Sequence, residues 1–352
     1  MNYEIELDDL IMTLVKEAGS DLHLTAGSFP TLRVSRDLIP LTRKKELTAE
    51  DTLGFLRAMV GEKTLNSFVI SQELDFSYEH HKEYRMRGNA SFQRGFISIA
   101  LRLIPKVKSI SELNLPDQII SIARERQGFF LVVGPVGQGK STTLASMIGL
   151  INSEAKRHIV TIEDPIEFRF DQDKSLIEQR EVGVDTKDFN TALTHVFRQD
   201  ADVIMIGEMR DKETISAAVT AAETGHLVFS TVHANSAAQT VDRIIDSFPS
   251  DQQDQIRLQL ASSLIGILSQ RLVPRVSGGL IPAFELLLNT PAVSNLIRER
   301  RTHEIDVIIE TGSQEGMIDL DRNLAELVRK GEVTKDDAKS FARRQNIFDR
   351  LI

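Results

Sequence analysis

The chain has 352 residues, of which 41% are hydrophobic and 26% charged, ordinary values for a folded chain of about two domains. It contains no cysteine, which excludes disulfides and thiolate metal sites. Its net charge of −9 argues against a dedicated duplex nucleic-acid binder, which carries a basic footprint. The N-terminus "MNYEIELDDL" lacks the basic segment and apolar run of a signal peptide. No stretch reaches the roughly 18 apolar residues of a membrane span. A cytoplasmic chain is expected, held at any membrane by a partner.

In chain order, residues 3–18 place Leu7, Leu10, Ile11, Leu14 and Val15 at helical spacing. "SDLHLTAG" alternates like a half-buried strand, and "FPTLRVSRDLIPL" reads as strand, turn, strand. Thr48 caps the apolar-periodic helix "TAEDTLGFLRAMV". "ELDFSYEH", "EYRMRGNASFQR" and "FISIALRLIP" read as three successive strands, with His80–His81 in a solvated turn. Residues 1–104 therefore form a small α+β domain with a mostly antiparallel sheet. Residues 105–113, in the proline- and lysine-containing "IPKVKSISELNLP", read as a linker.

From residue 114 to 352 strands and helices alternate. "GFFLVVG", "RHIVTIEDP", "ADVIMIGE" and "HLVFSTVHA" are strands; "KSTTLASMIGLINSE", "TALTHVFRQD" and "KETISAAVTAAETG" are helices. Such alternation implies an α/β fold with a parallel sheet covered on both faces. Beyond about Asp251 the pattern is mainly helical, interrupted by "GGLIPAFELLL", a further hairpin or strand.

"GPVGQGKSTT" fits G-x-x-x-x-G-K-[ST] between a strand and a helix. The stretch Gly134, Gly137, Gln138, Gly139, Lys140, Ser141 and Thr142 is the expected ATP cradle. Its glycines let backbone N–H groups converge on phosphate oxygens at a helix N-terminus. Lys140 is expected on the β- and γ-phosphates and the Ser141 hydroxyl on Mg2+. Val136 and Gln138 are expected to act through their backbone alone. Two acidic strand ends follow: Glu163 and Asp164 in "TIEDPIE", and Glu208 in "VIMIGEMRD". Ligands of open parallel sheets bind at such carboxyl ends. Glu208 is expected to polarise water, with Glu163 organising the metal shell and Asp164 near the metal. Gly207 stands where an aspartate often precedes the catalytic glutamate. His233, ending a fourth strand, is a candidate γ-phosphate sensor.

Together these segments resemble the secretion-ATPase superfamily, and within it the type IV pilus retraction ATPases, over nearly the whole chain. "GPVGQGKSTTLA" resembles the family's Walker A, "TIEDPIE" its Asp box, "IMIGEMRD" its Walker B and "GHLVFSTVHAN" its His box. "LIGILSQRLVPR" is similar to a long helix near the C-terminal region, and "NLIRE" to the end of a short retraction motif, where Ser294 replaces the usual arginine. The resemblance implies a RecA-like P-loop NTPase domain preceded by a PAS-like α+β domain. It also implies a homohexamer that hydrolyses ATP and drives an inner-membrane platform protein to withdraw pilin, alongside a paralogous retraction ATPase. Nucleotide would sit between the two domains, reached by Arg87 and Arg102, with Arg94 a third candidate. Localisation would be cytoplasmic, peripheral at the inner face of the membrane. Pilus-assembly or type II secretion ATPases, a non-hydrolysing accessory member and a nucleic-acid translocase are the alternatives. The first two enzyme types commonly carry a four-cysteine insert that this chain lacks.

Overall fold

Apolar periodicity sets the first helix, α1 (Tyr3–Lys16), which buries Leu7, Leu10, Ile11 and Leu14 along one face. The computed structural model describes residues 2–34, 37–81 and 84–352. Strands β1 (Asp21–Thr25), β2 (Thr31–Val34) and β3 (Asp37–Pro40) follow, with Leu22 and Leu24 buried. The turn expected at residues 35–36 lies outside the described residues. Thr48 caps α2 (Ala49–Ser71) in a capping box with Asp51. The sequence pattern stops at Val60 because Gly61, at φ 73°, breaks α2 into two segments. Strands β4 (Glu73–His80), β5 (Tyr84–Gln93) and β6 (Phe96–Ile104) complete a six-stranded sheet ordered β3-β2-β1-β6-β5-β4. Every neighbouring pair in it is antiparallel.

His80 is not in a solvated turn. It is 4% exposed, and its Nε2 lies 2.9 Å from Asp8 Oδ1. The left-handed backbone at His81, φ 52°, brings a second imidazole to within 2.6 Å of the same oxygen. Arg87 and Arg102 are direct cross-strand neighbours on the exposed face of β5 and β6. Arg102 Nε donates to Asp21 Oδ1 at 2.8 Å, whereas Arg94 sits in the β5–β6 turn.

The chain divides between Lys106 and Val107. Val107 and Leu113 already pack against the core of the second unit, which makes much of the expected linker part of that unit's surface. After α3 (Gln118–Ala123) come β7 (Gly128–Val133), α4 (Lys140–Glu154), β8 (His158–Glu163) and β9 (Leu176–Glu181). Then follow α5 (Phe189–Val196), β10 (Val203–Ile206), α6 (Lys212–Glu223), β11 (Leu227–Val232), α7 (Ala237–Asp246) and α8 (Gln253–Ser263). A hairpin of β12 (Leu264–Pro274) and β13 (Leu280–Leu288) leads to α9 (Pro291–Arg298), α10 (Ile305–Thr311), α11 (Leu320–Arg329), α12 (Lys335–Phe341) and α13 (Gln345–Leu351).

These strands form a seven-stranded mixed sheet ordered β13-β12-β7-β11-β10-β8-β9, parallel except for β13 at one edge. Both faces are covered. Phe129, Leu131 and Val133 of β7 point into one core, and Phe130 and Val132 into the other. The expected α/β architecture is present, with two departures. Strand β9 had no counterpart in the sequence pattern. "LIGILSQRLVP" is a strand, not a helix: β12 lies between β7 and β13, buried on both faces. A strand so placed shows a near-continuous apolar run instead of alternation, which periodicity cannot separate from a buried helix.

Ser294 is buried in α9, and its Oγ donates to Ala261 O at 2.8 Å and Asn289 Oδ1 at 3.1 Å. The serine thus anchors this helix to the end of α8. Near the C-terminus, Glu285 on β13 is buried and paired with Arg343, which also bonds Asp306 at 3.1 Å. Burial holds the Glu285 carboxyl above the usual range, opposed by Arg343. Arg343→Ala is expected to cost this unit about 3 kcal/mol in denaturant unfolding, because it strands a buried charge. Glu285→Gln in the same background is expected to restore part of the loss. A carboxyl raised on folding binds its proton more tightly in the folded state, so stability falls as pH rises through the raised value. The defect is therefore expected to be larger at pH 8 than at pH 5, and an equal defect at both would refute this account.

Candidate active site

Three parallel strands end in register and bring the acidic and histidine candidates to one edge. Ile206 of β10 lies beside Ile162 of β8 and Ser230 of β11, so Glu163, Glu208 and His233 all emerge there. Strand β7 pairs with β11 up to Val133, which brings in the phosphate loop. A cavity of about 310 Å³ opens at this edge, lined by Lys140, Ser141, Glu163, Asp164, Glu208 and His233 among others. That volume suits a small-molecule ligand.

Gly134 and Gly139 are the glycines that the loop requires. Gly139, at φ 78°, is the left-handed cap of α4, and a Cβ there would stand 2.9 Å from Gln270 Nε2. A Cβ on Gly134 would stand 2.6 Å from Gln270 O. Lys140 opens α4 and is 9% exposed. Its Nζ donates to the carbonyls of Gly134 (3.0 Å) and Pro135 (2.9 Å). Burial holds this ammonium below the usual lysine range, and the Glu208 and Glu167 carboxylates oppose that shift.

His233 links the loop to Glu208. Its Nδ1 lies 3.4 Å from Lys140 Nζ and its Nε2 lies 3.0 Å from Glu208 Oε1. Lysine can only donate, so Nδ1 is the acceptor and the proton is assigned to Nε2, facing the carboxylate. Arg210 holds the other oxygen, Oε2, from Nε (3.0 Å) and Nη2 (2.9 Å). Glu163 is buried and accepts from Thr161 Oγ1 (2.7 Å) and Gln179 Nε2 (3.2 Å). Burial pushes its carboxyl up, against those bonds. Gly207 N donates to Ile162 O at 2.8 Å, and Thr231 Oγ1 donates to Gly207 O at 2.7 Å, fixing the backbone just before Glu208.

Ser141 and Asp164 offer oxygen donors in the same cavity, the hard ligand type that Mg2+ prefers. Thr142 and Gln138 are not among the residues that line it. Gln138 corrects the backbone-only expectation: its Oε1 accepts from Leu272 N at 2.6 Å, tying the loop to β12. Arg87 and Arg102 belong to the N-terminal unit. Sequence reasoning missed Arg210, Thr161, Gln179, Gln270 and Arg271. For the last two there was a signal, a Gln–Arg pair set within the apolar run of β12.

A family profile described as type II/IV secretion system protein matches residues 94–331. The chain is similar to the type IV pilus retractation ATPase PilT of Pseudomonas aeruginosa, 40% identical over 344 residues that cover 96% of this chain and 98% of that protein. It is also similar to the type IV pilus ATPase PilU of the same organism, 38% identical over 96% of this chain and 89% of that protein. The crystal structure of the pilus retraction motor PilT with bound ADP matches with a TM-score of 0.89 at 40% identity, covering 97% of this chain and 98% of that one. The chain belongs to the type II/IV secretion system protein family.

Proposed function

We propose that the protein is an ATP-hydrolysing motor for type IV pilus retraction. It works as a homohexamer, peripheral at the cytoplasmic face of the inner membrane, on a platform protein embedded there. Among the described residues no helix is long and apolar enough to cross a membrane, so such a protein reaches the membrane through its partner. The observation that carries the reading is the Lys140–His233–Glu208 connection at the mouth of a phosphate loop.

In this reading the triphosphate lies along Gly134–Thr142. Its charge draws the Lys140 ammonium off the loop carbonyls, because an anionic acceptor bonds an ammonium more strongly than a neutral one. Lys140 then leaves His233 Nδ1, and the His233–Glu208 bond changes with it. Glu208 orients and polarises the attacking water. Ser141 and Asp164 would hold Mg2+, with Glu163 ordering its surroundings, and the ion would supply positive charge against the phosphates. Arg87 and Arg102 are proposed as an anion-binding pair on the N-terminal unit. Two arginines side by side repel one another, and Asp21 offsets only part of that charge, so the pair favours an anionic ligand.

Lys140→Ala is expected to abolish ATP binding. Glu208→Gln is expected to bind ATP normally and to lose turnover by about 100-fold or more. Full turnover in the Glu208→Gln protein would remove Glu208 from the reaction. Absence of hydrolysis by the intact protein would favour the accessory role, and stimulation by single-stranded DNA a translocase. Deletion in the host is expected to leave cells hyperpiliated and unable to twitch. Cells without pili would instead indicate an assembly ATPase.

A further inference from the structure

We infer that Gln270 and Arg271, adjacent on β12, are positioning residues that hold the phosphate loop and the His233 loop to one strand. The inference rests on the nucleotide site proposed above. Strand β7 ends at Val133, where it pairs with Ser269. Strand β12 continues to Pro274. Residues 270–272 therefore run beside the phosphate loop, where no backbone ladder joins them to it. Side chains replace the ladder. Gln270 is 3% exposed, and both ends of its amide are committed to the loop and the helix it opens. Nε2 donates to Gln138 O at 2.7 Å, and Oε1 accepts from Thr143 Oγ1 at 2.7 Å. The loop answers with Gln138 Oε1, which accepts from Leu272 N at 2.6 Å.

Neighbouring residues of a strand point to opposite faces. Gln270 accordingly grips α4, whereas Arg271 reaches the segment before α7. Arg271 Nη2 donates to Asn235 O at 2.9 Å and lies 3.3 Å from Asn235 Oδ1, and its Nη1 donates to Gln270 O at 2.8 Å. Ser269 Oγ adds a bond to Asn235 O at 3.2 Å. Asn235 is two residues beyond His233, whose ring joins Lys140 to Glu208. The loop that takes phosphate and the loop that carries the histidine are thus both tethered to β12. A phosphate loop held in its bound form before nucleotide arrives loses less conformational freedom on binding.

Full-length wild-type protein, Gln270→Ala, Thr143→Val, the double variant and Lys140→Ala are compared with a fluorescent ATP analogue, by steady-state hydrolysis, and by melting with and without ATP. Gln270→Ala is expected to weaken ATP binding at least about tenfold, the effect of one buried hydrogen bond left unmade. Its melting temperature without nucleotide should fall, since Gln138 O and Thr143 Oγ1 both lose a buried partner, and the ATP-induced rise should shrink as well. In the double variant the two losses should be less than additive, since Thr143 and Gln270 share a bond. Arg271→Lys, which keeps the charge and loses the fork, is expected to lower kcat at least about tenfold with KM near wild type.

Should the alanine variant unfold, Gln270→Met, which is close in volume, uncharged and makes neither bond, carries the same expectation. Wild-type ATP affinity in a folded Gln270 variant overturns the inference, as does a lower melting temperature with unchanged affinity. If Lys140→Ala fails to bind ATP, the nucleotide site stands whatever Gln270 does. If wild type itself fails to bind ATP, that reading falls and this one with it.

Discussion

The parallel ladder β12-β7-β11-β10-β8 is the constraint on which the site depends. Its hydrogen bonds fix the register of neighbouring strands, so the strands' carboxyl ends come out at a common edge. The strands are buried on both faces, and a one-residue slip would exchange the two faces of each. Apolar burial therefore enforces the alignment that brings Lys140, Glu163, Glu208 and His233 together. None of these four is near another in sequence except through the sheet.

Charge at that edge is held at a cost in desolvation. The Lys140 ammonium and the Glu163 carboxyl are both buried enough to be shifted toward their neutral forms. Each is retained by hydrogen bonds, Lys140 by two loop carbonyls and Glu163 by Thr161 and Gln179. Glu208 differs, because Arg210 and His233 occupy both of its oxygens. The two glutamates thus occupy separate environments at one edge, one nearly dry and one ion-paired. Such divergence is how a fold gives like groups unlike tasks.

Much of the site was legible because its signals are local. The phosphate loop is a contiguous pattern, and Glu163, Glu208 and His233 each follow an apolar strand directly. The Thr48 cap and the Leu22 and Leu24 alternation were legible for the same reason. Strand β12 was not, since burial on both faces erases the period that separates strand from helix. Nor was the use of Gln138, whose partner Leu272 is 134 residues away, or of Gln270, whose partner Thr143 is 127 residues away. His80 was misplaced because its surroundings in sequence are polar, whereas its burial comes from α1 and the Asp8 carboxylate.

Strand β12 also has an outward end. Val273, three residues beyond Gln270, is packed with Leu320 and Leu324 of α11 and Phe348 of α13 in a separate small core. At about 3.3 Å per residue, that core begins roughly 10 Å along the strand from the amide that grips the phosphate loop. From Gln270 to Pro274 the strand keeps its ladder to β13, which stiffens it as a spar. The small core that holds the C-terminal helices and the amide that grips the phosphate loop thus lie on one continuous strand.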